Sequence, residues 1–372
     1  MQFKRLTKAI VASLALTMLC GPAFAETIKI GVAGAHSGDL ASYGIPSMRA
    51  AQLVTEQVNA KGGINGKQIE LLIEDEECKP EKATNVATKL VSEGVVAVIG
   101  HICSGATKAA LPIYAEAHIP AISPSATSPE LTRSGDYPTF FRTIASDDAQ
   151  AKVGVDYALG TLKAKTIAIL HDKGDYGKGY AEFAKQFIEE NGSAQVVLFE
   201  GITPGAVDYS AVIQKIRRSN PDVIIFGGYH PEASKLITQM RKKRVNAVFI
   251  SDDGVKNETF IKVAAADGEG VLATGPSDVT SLPLYKEAYE AHRAKFGTDP
   301  GDFYYGAYAA TQALLNAIEK AGSTDFASVA KVLHTVPVDT AVGTIKFDDR
   351  GDAEGVGFSL YEVRNGEFVE IK

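Results

Sequence analysis

The sequence predicts an α/β protein of two lobes, each a mainly parallel sheet flanked by helices. Strand-like and helix-like stretches alternate along most of the chain, the strands are too many for one sheet of ordinary size, and no low-complexity linker interrupts them. Strand, helix and strand at this spacing close as right-handed βαβ units, with strands parallel and helices on both faces. A chain of this length also exceeds what one hydrophobic core usually organises, so two cores are expected.

The first stretch stands outside that pattern. Lys4, Arg5 and Lys8 precede an apolar run over 9–19, and the small-residue site Ala23-Phe24-Ala25 follows. That order is a cleavable secretory signal peptide, expected over 1–25. The run falls short of the roughly 18 unbroken apolar residues that would suggest a membrane span. Cys20 invites acylation, but Leu19 precedes it where a small residue is expected. The mature chain is therefore expected to begin near Glu26 and to be exported and soluble. Losing the leader takes the formal charge from −7 to −10. So acidic a chain, with no basic stripe, is not expected to bind nucleic acid.

Apolar strands read in order at 28–33, 69–73, 96–99, 121–123, 166–170, 196–199, 223–226, 247–250 and 271–274. Helical stretches lie between them at 48–60, 83–93, 106–116, 151–162, 180–190, 209–218 and 233–243. Glycine-rich punctuation such as Gly62-Gly63-Ile64-Asn65-Gly66 separates them. After Gly275-Pro276 the chain reads as helix over 284–295, 303–321 and 326–333, then as short strands near 344–347 and 358–363.

Without the leader two cysteines remain, Cys78 and Cys103. An even pair in an oxidising compartment reads as one disulfide, the alternative being two buried thiols. No Cys-x-x-Cys or histidine pattern accompanies them, so a zinc site is not expected.

Enzyme signatures fail in turn. The segment 62–68 resembles a phosphate loop, but Lys61 replaces its first glycine and Gln68 its Ser or Thr. Gly31, Gly34 and Gly38 do not have dinucleotide spacing. Asp348, Asp349 and Asp352 read as a solvated turn rather than a calcium loop. His171-Asp172 reads as a polar strand end. No metal or cofactor is expected.

What remains is a set of polar and aromatic residues just past strand ends, where open parallel sheets gather ligands. Ser104 begins a helix, and its hydroxyl with the free N–H groups of the first turn would suit a carboxylate or simply cap the helix. Ser125 and Thr127 follow the next strand, in a loop that could be an ordinary turn. Asp253 offers a carboxylate for an ammonium group, or a helix cap. Tyr43, Tyr176 and Tyr229 each fall soon after a strand, as pocket walls or as packing.

The surrounding segments resemble the leucine/isoleucine/valine-binding proteins of bacterial ABC transporters. The resemblance runs over the whole mature chain, through Gly34-Ala35-His36-Ser37-Gly38 with Tyr43-Gly44, 59–67 (NAKGGINGK), 98–107 (VIGHICSGAT), 122–132 (ISPSATSPELT), 171–179 (HDKGDYGKG) and 227–232 (GGYHPE). It implies a periplasmic solute-binding component with two lobes joined by three crossings: 26–145 plus 276–350, and 146–275 plus 351–372. It implies a monomer that is no enzyme, takes a small amino acid and delivers it to an inner-membrane ABC permease. Position by position, Ser104 and Thr127 would hold the carboxylate. Thr127, the Ser125 carbonyl and Asp253 would take the ammonium, and Tyr43, Tyr176 and Tyr229 would shape the side-chain pocket. Cys78 and Cys103 match the family's disulfide positions. Two residues depart from the pattern: Asp253 stands where Glu is usual and Ser125 where Ala is usual. Asp is one methylene shorter, so the ammonium would sit deeper or meet a bridging water. The alternatives are a binding or sensor protein for another neutral amino acid or small amide, or an exported hydrolase using Ser104.

Overall fold

Residues 27–371 are described in the structure, a computed structural model. The expected signal peptide and Cys20 lie outside the described residues. The first five strands are β1 (Ile28–Gly34), β2 (Ile69–Asp75), β3 (Ala97–Ile99), β4 (Ala121–Ser123) and β5 (Phe140–Arg142). They form a parallel sheet in the order β2-β1-β3-β4-β5. Next come β6 (Thr166–His171), β7 (Gln195–Gly201), β8 (Val223–Gly227), β9 (Val248–Ser251) and β10 (Leu272–Pro276). After β11 (Val338–Thr340), β12 (Gly343–Phe347) and β13 (Ala353–Glu354), which make a small sheet of their own, β14 (Phe358–Arg364) and β15 (Glu367–Glu370) join the second sheet. Its order is β15-β14-β10-β9-β8-β6-β7, with β14 antiparallel to β10.

Alternation along the strands explains why they read as continuous apolar runs. Side chains two apart share a face. On β3, Ala97 and Ile99 enter one core and Val98 the other. On β8, Val223 and Ile225 face one core while Ile224 and Phe226 face its opposite. The central strands are buried on both faces, so they are mostly apolar on either side, with polar residues such as Ser123 and Ser251 at their carboxyl ends.

In the first half of the chain the helices are α1 (Ala41–Ala60), α2 (Pro80–Ser92), α3 (Ser104–Glu116), α4 (Glu130–Arg133), α5 (Asp147–Asp156) and α6 (Asp175–Asn191). Then follow α7 (Ser210–Ser219), α8 (His230–Lys242), α9 (Glu258–Ala264), α10 (Pro283–Phe296), α11 (Tyr304–Ala321) and α12 (Phe326–Thr335). Helices α11 and α12 cover one face of the first sheet, and α2 and α3 the other.

Several bounds correct the sequence reading. Helix α1 starts at Ala41, not 48; it runs through Pro46, which reads in sequence as a break and leaves the Ser42 carbonyl without its i+4 donor. Gly44 lets the helix press against β1, since a Cβ there would meet the Ala35 carbonyl oxygen at 1.9 Å. Helix α3 starts at Ser104 with Cys103 as the cap residue, so the expected helix start near 106 was late and Ser104 is not the cap. β5 and the small-sheet strands β11 and β13 escaped notice because two or three residues carry no readable period.

The chain passes between the sheets three times: after β5, after β10, and between β13 and β14. In each sheet the strand order reverses at one point, between β1 and β3 and between β6 and β8. Clefts at such points, outside the carboxyl ends of the strands, are where ligands bind.

Candidate functional site

Every residue singled out in the sequence follows one of these strand ends. Tyr43 is reached from β1, Ser104 from β3, Ser125 and Thr127 from β4, Tyr176 from β6, Tyr229 from β8 and Asp253 from β9. Six of the seven line one chamber, completed by Ile102, Cys103, Gly254 and Phe303. Thr127 lies a layer deeper and is fully buried.

The aromatic residues form a partial cage. Tyr229 sits 6.1 Å from Tyr43 and 5.2 Å from Tyr176 between ring centroids, and Phe303 sits 5.6 Å from Tyr43. Such tilted separations suit aromatic contacts. The chamber holds about 270 Å³ of empty space, spread too thinly between its walls to admit much water. Its walls are drawn together by bonds between the two halves. The Tyr43 hydroxyl donates to the Gly254 carbonyl at 2.5 Å. Asn257 Nδ2 donates to Ser42 Oγ at 3.2 Å and to Asp302 Oδ2 at 2.6 Å, and Ser42 Oγ lies 3.2 Å from His230 Nε2. At the mouth Lys108 pairs with Asp175 at 3.2 Å.

The wall behind β3 and β4 is internally satisfied. Ser123 Oγ donates to the His101 carbonyl at 2.5 Å and accepts from Ala126 N at 2.9 Å. The Ser125 hydroxyl donates to the Ile102 carbonyl at 2.8 Å, so it is spent on the backbone rather than offered beside a carboxylate. Ser104 Oγ accepts from Ser128 N at 3.2 Å. Arg142, fully buried, donates to the Ser128 carbonyl at 2.9 Å and to Asp352 at 2.5 Å, bracing the loop that carries Thr127. The first helical N–H to return to the chain is that of Thr107, so those at the start of α3 are free for an anion. The disulfide Cys78–Cys103 is present, with Cα atoms 5.5 Å apart, and pins the start of α3 to the loop after β2.

The opposite wall is acidic and unsatisfied. The Tyr176 hydroxyl donates to Asp253 Oδ1 at 2.5 Å and accepts from Gly254 N at 3.0 Å. Asp253 Oδ2, both oxygens of Asp147, the Gln150 amide and Thr127 Oγ1 are buried without a well-formed hydrogen bond. Burial pushes the Asp147 carboxyl up to about 8, against the Thr127 hydroxyl beside it, and the Asp253 charge adds to the rise. Burial raises Asp253 as well, against the pull of Tyr176 and Gln150. Asp252, raised mainly by burial and then by the Asp253 charge, accepts from Gly228 N at 2.7 Å. Carboxylates so placed gain most from an incoming cation.

Sequence reasoning missed Asp147, Gln150 and Phe303. The first two stand in the opening turns of α5, where an acid looks like an ordinary complement to the helix dipole. Phe303 precedes α11 with φ 59°, far from any strand end. Its one signal is an aromatic after the Asp299–Asp302 turn. Among the described residues no cluster of three or more His, Cys, Asp or Glu could hold a metal ion. The arrangement is a chamber with donors at one end, the Asp253 carboxylate at the other and rings between.

The periplasmic binding protein family model matches residues 27–367. The leucine-, isoleucine-, valine-, threonine- and alanine-binding protein of Pseudomonas aeruginosa is 39% identical over 91% of this chain and 90% of its own length. The Leu/Ile/Val-binding protein of Escherichia coli is 36% identical over 98% of this chain and 99% of its own. Among solved structures, a leucine-binding protein of Thermotoga maritima superposes with a TM-score of 0.86 at 27% identity, covering 93% of this chain and 98% of that one. A branched-chain amino acid substrate-binding protein of Streptococcus pneumoniae, in complex with isoleucine, gives 0.83 at 30%, covering 93% and 100%. Matched along nearly its whole length by the family model and by these relatives, the chain belongs to the periplasmic binding protein family.

Proposed function

We propose that the chain is the solute-binding component of an ABC importer and holds leucine, isoleucine or valine in the chamber, closing its two lobes over them. The observation that carries this reading is the chamber's polarity: the half-satisfied carboxylate of Asp253 faces one end, with Asp147 buried outside the lining, and free helix N–H groups face the other, with aromatic walls between. A zwitterion must exchange its water for such partners, or desolvation defeats binding. Ser104 and the start of α3 take the carboxylate. Asp253, with Asp147 and the Ser125 carbonyl, takes the ammonium, while Thr127 braces Asp147. Tyr43, Tyr176, Tyr229 and Phe303 enclose the side chain, each buried methylene adding about 0.8 kcal/mol.

The proposed lobes are 26–145 plus 276–350, and 146–275 plus 351–372. The third crossing is moved to about 355–357, because Ala353–Glu354 still pairs with β12. In this reading residues 1–25 export the chain to the periplasm. It acts there as a monomer, without catalysis, cofactor or nucleic acid, and docks on an inner-membrane permease.

A smaller neutral amino acid is the second reading, favoured by the narrow free space in the chamber and by the Pseudomonas aeruginosa relative, which binds threonine and alanine as well. A thermal-shift screen of the twenty amino acids with small-angle scattering tests both. Leucine, isoleucine and valine should raise the melting temperature and keep the radius of gyration small, while aspartate and lysine do little. Stabilisation by threonine or alanine alone would select the second reading, and no response to any amino acid would sink both.

A further inference from the structure

A second cavity lies on the hinge side of the chamber and shares Asp253 and Phe303 with it. Its volume is about 480 Å³, and it is far roomier than the chamber itself. All three crossings between the sheets contribute to its wall, through Thr143 and Ile144, through Pro276 to Thr280, and through Gly355 to Gly357.

Its charge is one-sided. Asp253, Asp278, Asp302 and Glu370 line it with one cation, Lys256, while Glu258 at the exposed rim pairs with Lys262. With Asp253 given to the chamber's ligand, the carboxylates that belong to this cavity alone are Asp278, Asp302 and Glu370. The wall is also aromatic. Tyr285 and Tyr305 stack at 3.9 Å with 20° between their planes, and the Lys256 ammonium already sits 4.5 Å over the Tyr361 ring. Cations are held on ring faces by the ring quadrupole, and better where carboxylates exclude anions. A cavity of this size exceeds what one metal ion fills, and among the described residues no metal-binding cluster occurs.

We infer that the hinge cavity is a second binding site, for a small organic cation carrying an ammonium group on an apolar or aromatic body. Because its walls include every crossing, an occupant touches segments that must rearrange when the lobes rotate. Its binding therefore couples to closure, and the coupling factor is the same in both directions. The binding claim stands apart from the amino acid reading, and only the coupling rests on it.

Calorimetry on the mature protein with benzylamine, benzyl alcohol and benzoate tests the site, since the three share a ring and differ in charge. Benzylamine should bind at least tenfold more tightly than benzyl alcohol, with benzoate weaker still, and should still bind under saturating leucine. Lys256→Met, which frees a ring face and removes a like charge, should tighten benzylamine at least threefold. Asp302→Asn should weaken it by a similar factor. Equal affinity for the amine and the alcohol, full displacement by leucine, or indifference to Lys256→Met would overturn the proposal. A protein that ignores leucine yet shows the amine preference would remove the amino acid reading and keep the hinge site.

Discussion

The two walls of the chamber bury polar groups to similar depth and use them in opposite ways. Behind β3 and β4, the hydroxyls of Ser104, Ser123 and Ser125 have backbone partners, and Arg142 ties the loop to Asp352. Behind β9 and along α5, Asp253 has one well-bonded oxygen, and the Asp147 and Gln150 side chains make no well-formed hydrogen bond. A satisfied network is rigid, while an unsatisfied buried group costs roughly 1–3 kcal/mol, more if charged. The first wall therefore fixes geometry. The second is held in a costly state, which in the proposed reading an ammonium group relieves, so that stability is given up where affinity is gained.

If that contrast is right, the largest effect should come from Asp253→Ala. Truncating one partner of a buried charge pair costs about 2–5 kcal/mol of binding. Calorimetry should show leucine affinity lost by at least thirtyfold with the melting temperature unchanged or raised. An affinity within threefold of the native protein would remove Asp253 from the site.

Asp147 sharpens the comparison through pH. Its folded value of about 8 lies above the ordinary 3.8, so the folded protein holds this proton more tightly than the unfolded chain. That contribution to stability is complete below about 4 and is lost as pH rises towards 8. An ammonium ligand needs the ionised form, so leucine binding should release up to one proton and strengthen by up to about tenfold per pH unit between 6 and 8. Asp147→Asn should flatten both dependences and raise the melting temperature at pH 8. An unchanged pH slope in that variant, with calorimetry repeated in buffers of different ionisation enthalpy, would assign the proton elsewhere.

The same contrast explains what could be read from the sequence. The satisfied wall sits on hydroxyls directly after strands, and its positions, Ser104, Ser125 and Thr127, were visible as residue types in the right places. What each hydroxyl does was not visible, since Ser104 turned out to be a first-turn residue and Ser125 to bond Ile102. The two sheets were legible because both faces of every central strand are buried, as in Val223 to Phe226. Asp147 and Gln150 were hidden because burial is a tertiary property, and Asp147-Asp148 reads like any acidic helix start. Phe303 was hidden because it arrives from a distant loop.

Tyr176 stands between the walls in effect as well as in place. Its hydroxyl satisfies Asp253 Oδ1 and accepts from Gly254 N. Tyr176→Phe keeps the ring and removes both bonds, each worth about 1 kcal/mol net. Leucine affinity should fall by about fivefold and Asp253 should become harder to ionise, seen as a steeper pH dependence of binding. A loss matching that of Asp253→Ala would mean that the hydroxyl, not the carboxylate, meets the ligand.

Ser125→Ala should do least to binding, although this residue departs from the family pattern at the heart of the site. Its hydroxyl already donates to the Ile102 carbonyl at 2.8 Å and is 8% exposed with the rest of the side chain, so removing it takes nothing from the chamber. What it removes is a brace between the β4 loop and the segment leading into α3. Leaving that carbonyl without its donor costs about 1 kcal/mol of stability. Leucine affinity should stay within threefold, while the melting temperature falls by about one to two degrees, as a change of that size gives in a chain of this length. The carbonyl of residue 125, the group assigned to the ammonium, survives the substitution. A loss of affinity beyond tenfold would show that the hydroxyl turns from Ile102 to the ligand, and the first wall would then belong to the same unsatisfied class as the second.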